Sequence, residues 1–131
     1  MKKKILIVED NSANMRILEM TLKANNYTLL MATDGEEALA TALKEHPNLI
    51  LMDIQLPKLN GLEVTRKLRS SRVFNHTPII AITAYAMDGD EEKAINAGCT
   101  AYLSKPIDIH HLRKVIAEML LQKQKVSSGE K

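Results

Sequence analysis

Several side chains able to do chemistry stand at the ends of short apolar runs. "KILIV" at 4–8 leads into Glu9 and Asp10, "LILM" at 49–52 into Asp53, "PIIAI" at 78–82 into Thr83, and "TAYLS" at 100–104 into Lys105 and Pro106. A carboxylate closing a strand that is buried on both faces loses water, which costs free energy unless a partner compensates it. Three carboxylates brought together repel, and each has a raised pKa unless a cation sits among them. Mg2+ suits such a set, because it prefers oxygen ligands, keeps several waters and binds through one or two carboxylates plus phosphate oxygens. Mn2+ is the expected substitute, since the same oxygen donors suit it. A lysine and a hydroxyl added to the acids turn a metal site into a phosphoryl site, where a carboxylate can act as nucleophile and form an aspartyl phosphate. Asp53, closing the central run, is the best-placed nucleophile, with Mg2+ and Lys105 compensating its charge.

Each residue also has a plainer reading. Asp10 or Asn11 suits a helix N-cap, Asp53 a turn, Thr83 a strand position, and Lys105-Pro106 an ordinary loop before a helix. The functional reading rests on the combination, because the elements that carry these residues bring them to one edge of a sheet.

Those elements alternate along the whole chain. Apolar runs at 4–8, 27–32, 48–53, 77–83 and 100–104 read as strands. Helical spacing follows each: Met15, Leu18 and Leu22 in a helix ending near Asn25-Asn26; Ala38, Leu39, Ala42 and Leu43 on one face of 34–46; then 62–68 and 90–97. The last helix is expected over 107–122, with Ile109, Leu112, Val115, Ile116, Met119 and Leu120 as its apolar stripe, and "KQKVSSGEK" as a polar frayed tail. Strands alternating with helices give parallel strands joined by right-handed crossovers. The expectation is one α/β domain: a doubly wound, flavodoxin-like, five-stranded parallel sheet with five helices, spanning 1–124, with a polar flexible tail at 125–131. In such sheets ligands bind at the carboxyl ends of the strands, where strand order reverses.

Composition narrows the class. The 131 residues are 45% hydrophobic, 26% charged and only 3% aromatic, with a net charge of +2. That charge is interspersed and few aromatics are present to stack bases, so nucleic acid is not the expected partner. No stretch reaches the roughly 18 apolar residues of a membrane span, and the short apolar start runs into "ED" too soon for a signal peptide. A cytoplasmic protein without membrane partners is expected. Cys99 is the single cysteine, which excludes a disulfide framework and reads as a buried, inert thiol. His110-His111 are adjacent and so make a poor metal pair on a helix.

The runs "ILIVEDN" (5–11), "LILMDIQLPKLNGLE" (49–63), "PIIAITAYA" (78–86) and "GCTAYLSKPI" (98–107) together resemble a response-regulator receiver domain of two-component signalling, CheY-like. Among receivers the chain is similar to DivK-like single-domain regulators and to the receiver modules of hybrid histidine kinases. The resemblance implies that Asp53 is phosphorylated by a histidine kinase or histidine phosphotransfer protein. It implies Mg2+ bound by Asp10, Asp53 and the backbone carbonyl of Gln55, with Glu9 acting through a water. Many receivers carry aspartate at the position of Glu9, so the longer side chain departs from the pattern. Lys105 would pair with the phosphoryl group, with a cis bond between Lys105 and Pro106. Thr83 and Tyr102 would form the switch, and Gln55 and Tyr85 would tune the lifetime of the phosphoryl group. A downstream protein would dock on the fourth helix, fifth strand and fifth helix (Met87 to Ala97, Tyr102, Ile107 to Val115). No enzyme activity is implied beyond the domain's own phosphorylation and dephosphorylation.

Two other classes were weighed. An aspartate-nucleophile phosphatase generally has a second Asp two places after the first, where this chain has Gln55, and carries a cap domain that is missing here. A flavin-binding flavodoxin-like protein needs a hydroxyl- and glycine-rich loop after the first strand, whereas "EDNSANM" is acidic. Within the receiver reading, a stand-alone regulator with no output domain is the expectation, and a receiver excised from a hybrid histidine kinase is the alternative.

Overall fold

A computed structural model describes residues 2–84 and 89–129, the segment 122–129 by backbone only. Five parallel strands alternate with five helices. They are β1 (Lys4–Val8), α1 (Ser12–Lys23), β2 (Thr28–Ala32), α2 (Gly35–Glu45), β3 (Leu49–Asp53), α3 (Gly61–Arg69), β4 (Ile79–Thr83), α4 (Asp90–Ala97), β5 (Ala101–Ser104) and α5 (Ile109–Gly129). The sheet order is β2-β1-β3-β4-β5.

Strand parity explains why the runs are apolar throughout. Along β1, β3 and β4, residues Leu6, Val8, Ile50, Met52, Ile79 and Ala81 point to one face and pack under Ala38, Ala42, Val64, Leu68 and Ala94. Their neighbours Ile5, Ile7, Leu49, Leu51, Ile80 and Ile82 point to the other face, under Met15, Leu18, Leu22, Leu112, Ile116 and Leu120. All five residues of β3 are buried, as expected for the centre of a sheet covered on both sides.

Three expectations need correction. Leu43 is 52% exposed, because only the small Ala38 and Ala42 of α2 face the sheet squarely. Ile109 is at 36%, on the first turn of α5 and ahead of the part that packs. Helix α5 continues to Gly129, past the expected end at 122 and into the supposed frayed tail: no glycine or proline interrupts 123–128, and Lys and Gln propagate a helix well. A short 3-10 turn, Arg72–Phe74, was not anticipated. It buries Phe74, whose ring meets His46 edge-on with centroids 6.1 Å apart. No helix among the described residues is long and apolar enough to cross a membrane.

Candidate functional site

Strand order reverses between β1 and β3, and the carboxyl ends of those two strands carry Glu9 and Asp53. Backbone pairing runs past the strand ends and delivers the remaining groups. Asp53 lies in register with Ile82, and Thr83 with Ser104. The Lys105 amide then donates to the Thr83 carbonyl at 2.8 Å, so Lys105 leaves β5 beside β4 and turns toward β3. The Lys105–Pro106 peptide bond is cis.

Ligand oxygens of Glu9, Asp10 and Asp53 all lie within 4.8 Å of one another. Glu9 and Asp53 are 2% and 3% exposed, whereas Asp10 is on the surface. The Lys105 ammonium bridges the two buried acids, at 2.9 Å from Glu9 Oε1 and 3.3 Å from Asp53 Oδ2. The Asn11 amide donates to Glu9 Oε2 at 3.1 Å, and the Gln55 amide donates to Asp53 Oδ1 at 3.0 Å.

Burial, and next the Glu9 charge, push Asp53 up to about 6, against the pull of the Gln55 amide and Lys105. Lys105 is itself desolvated, which opposes its charge, yet its hydrogen bond to Glu9 and the Asp53 charge hold its pKa above the ordinary lysine value. The site therefore keeps one cation and strains one carboxylate. A set of oxygen donors with one exposed member fits a divalent cation of the Mg2+ type, which retains water.

The loop after Asp53 is shaped by two glycines. The Gly61 amide donates to the Ile54 carbonyl at 2.8 Å, folding residues 54–60 back on β3. A Cβ at Gly61 would come within 2.4 Å of the Asp53 carbonyl oxygen, and one at Gly35 within 2.0 Å of the Leu59 oxygen. Asn60 caps α3 by accepting from the Leu62 and Glu63 amides.

Thr83 is buried, at 1% exposure. Tyr102 packs against the core beside α4. Its hydroxyl is buried without a hydrogen-bond partner among the described residues, and burial, then Asp90 and Glu91, raise its pKa. Tyr102, Glu91, Asp108 and His111 line an open cleft on the α4–β5–α5 side.

The plainer readings divide. Asn11, not Asp10, caps α1, which leaves Asp10 to the acid cluster. Asp34 caps α2 through the Glu37 amide. Cys99 is buried, with its sulfur 3.8 Å from Thr65 Oγ1. Gln55 is exposed at the rim. Tyr85, and Met87 of the expected docking face, lie outside the described residues. Two features of the site were not anticipated. One is the Glu9–Lys105 ion pair, which joins residues far apart in the chain; the other is the need for Gly61, for which "NGL" after the acid strand was the available signal.

Residues 5–117 match the response regulator receiver domain family. The chain is 46% identical over 120 residues to the polar-differentiation response regulator DivK of Brucella ovis, covering 92% of this chain and 98% of that protein. Among solved structures, it is similar to a CheY-like response regulator receiver domain protein from Methanospirillum hungatei, with a TM-score of 0.89 and 33% identity, over 95% of this chain and 98% of that one. It is also similar to the receiver domain of a sensor histidine kinase from Pseudomonas aeruginosa, with a TM-score of 0.85 and 35% identity, over 92% and 98% of the two chains; that structure has a magnesium ion coordinated in the active site cleft. With a fivefold β-α alternation, the 2-1-3-4-5 sheet and an acid-lysine cluster at its switch point, this chain belongs to the response regulator receiver domain family.

Proposed function

We propose that Asp53 accepts a phosphoryl group from a phosphohistidine donor, a histidine kinase or histidine phosphotransfer protein, and that the modified domain then binds a downstream protein. The observation that carries this reading is the Asp53 carboxylate, buried at the end of the central strand with the Lys105 ammonium 3.3 Å away and two further acids beside it. An Asp53 oxygen attacks the phosphorus in line; the O–P bond forms as the P–N bond breaks, and the bond's electron pair leaves with the imidazole. Lys105 meets the charge on the transferred oxygens, and fixed position does most of the rest.

Asp10 and Asp53 would hold Mg2+, with the Gln55 carbonyl and, through water, Glu9; Mn2+ would use the same donors. When bound, the cation neutralises charge on the phosphoryl oxygens. Water later cleaves the acyl phosphate, and Gln55 and Tyr85 set how readily it arrives. These two reactions at its own aspartate are the only catalysis in this reading.

The phosphoryl group offers a new acceptor to the Thr83 hydroxyl, and Tyr102 turns inward in response, a two-state element biased by a local charge. The α4–β5–α5 face then engages a protein, not nucleic acid or membrane, in the cytoplasm. The receiver unit is 1–124, with 125–131 as an appended polar segment.

Intact-mass spectrometry after incubation with acetyl phosphate and Mg2+ tests the core of this. One added phosphoryl group is expected, absent when Mg2+ is chelated and absent in Asp53→Asn. A phosphoryl group that persists in Asp53→Asn, or none on the wild type, overturns the assignment.

A further inference from the structure

We infer that Glu9 is the anchor of Lys105 in the metal-free protein, so that the pocket rests with an internal cation in place and a divalent cation has to compete with Lys105 for the Glu9 carboxylate. The inference rests on the proposed phosphoryl-acceptor site and specifies how that site is kept between uses.

Both Glu9 oxygens are engaged. Oε1 takes the Lys105 ammonium at 2.9 Å, and Oε2 takes the Asn11 amide at 3.1 Å. The Lys105 contact to Asp53 is the longer one, at 3.3 Å. Charge-assisted bonds near 2.8 Å are the strong ones, so Glu9 is the firmer of the two holds. The pair is also well shielded, with the Glu9 side chain 2% and the Lys105 side chain 17% exposed. Shielding of that order removes the solvent screening that makes surface pairs weak.

Chain length at position 9 decides this arrangement. Glutamate carries one methylene more than aspartate, and a C–C bond is about 1.5 Å. An aspartate on the same backbone would draw its oxygen back by roughly that much, leaving the ammonium beyond ion-pair reach. Lys105 would then depend on Asp53 alone, and the carboxylate at position 9 would face the other acids unpaired. The glutamate is therefore what lets one lysine compensate two buried carboxylates at once, and it is a positioning residue for Lys105.

The test uses the full chain as wild type, Glu9→Asp, Lys105→Met and the double variant; Lys105→Gln replaces Lys105→Met if the latter does not fold. Urea unfolding in chelator measures the pair without metal. A coupling of about tenfold in the unfolding equilibrium is expected, and additive effects overturn the anchor. Calorimetric titration with Mg2+ measures the competition. Glu9→Asp is expected to bind Mg2+ about three- to tenfold more tightly, and Lys105→Met to tighten binding more in the wild-type background than in Glu9→Asp. Equal gains in both backgrounds, or weaker binding by Glu9→Asp, overturn the competition. If the wild type binds no Mg2+, the proposed function and the competition both fail, while the metal-free cycle still decides the anchor.

Discussion

Replacing Asp53 with asparagine should stabilise the metal-free protein at neutral pH, although it removes a carboxylate from an ion pair. Burial and the neighbouring Glu9 push Asp53 from an ordinary 3.8 up to about 6, so the folded state resists its ionisation. Below the unfolded value the carboxyl is protonated in both states and no cost arises. As pH rises through the window between 3.8 and about 6 the unfolded chain gives up its proton first, and stability falls. Above that window the cost is constant. Each pH unit is about 1.36 kcal/mol, so the ceiling is about 3 kcal/mol. The amide can still accept from the Gln55 amide, but it weakens the hold on Lys105. A net gain of about 1–2 kcal/mol is therefore expected near pH 7.5, shrinking to nothing near pH 3.5. Urea denaturation in chelator at both pH values measures it. A loss of stability at neutral pH, or a gain of the same size at both, would refute the reasoning.

Two further substitutions probe the frame around the site. Gly61→Ala should cost about 2–4 kcal/mol in urea unfolding, because the new methyl collides with the Asp53 backbone oxygen rather than with a yielding side chain. Arg69 ties three segments together through the Gly98 carbonyl at 2.9 Å, the Phe74 carbonyl and the Thr100 hydroxyl at 3.3 Å. Arg69→Ala should cost about 2–3 kcal/mol and expose the adjacent Cys99. Native-state thiol labelling should then run faster than in the wild type, where the thiol is 5% exposed; an unchanged rate would mean that Arg69 does not guard that end of α4.

Local pattern carried most of the architecture. The β1 run "KILIV" gave both of its ends, because a lysine and an acid bracket four buried apolar residues. Asp53 stood out because one charged residue closed a strand buried on both faces. The signal failed where a residue's role depends on distant partners. Leu43 has helical spacing as good as that of Ala38, yet its exposure is set by how far α2 sits from the sheet. The turn at Arg72–Phe74 has too few residues to show a period. Glu9 and Lys105 meet only because β1 and β5 end at the same edge, so neither local sequence reveals that the longer acid holds the lysine.

The two glycines flanking the 54–60 loop bear on how this domain can be re-engineered. With no room for a Cβ at Gly35 or Gly61, that loop is wedged between β3 and the start of α2. It should reject insertions and new chain termini, despite its proline and polar residues. The turn after α1 offers the opposite terrain: Asn25 and Asn26 are exposed, Asn26 already has a φ of 66°, and the nearest strand end is far from the acids. Circular permutants and inserted reporter domains should be opened there, leaving the wall behind Asp53 intact.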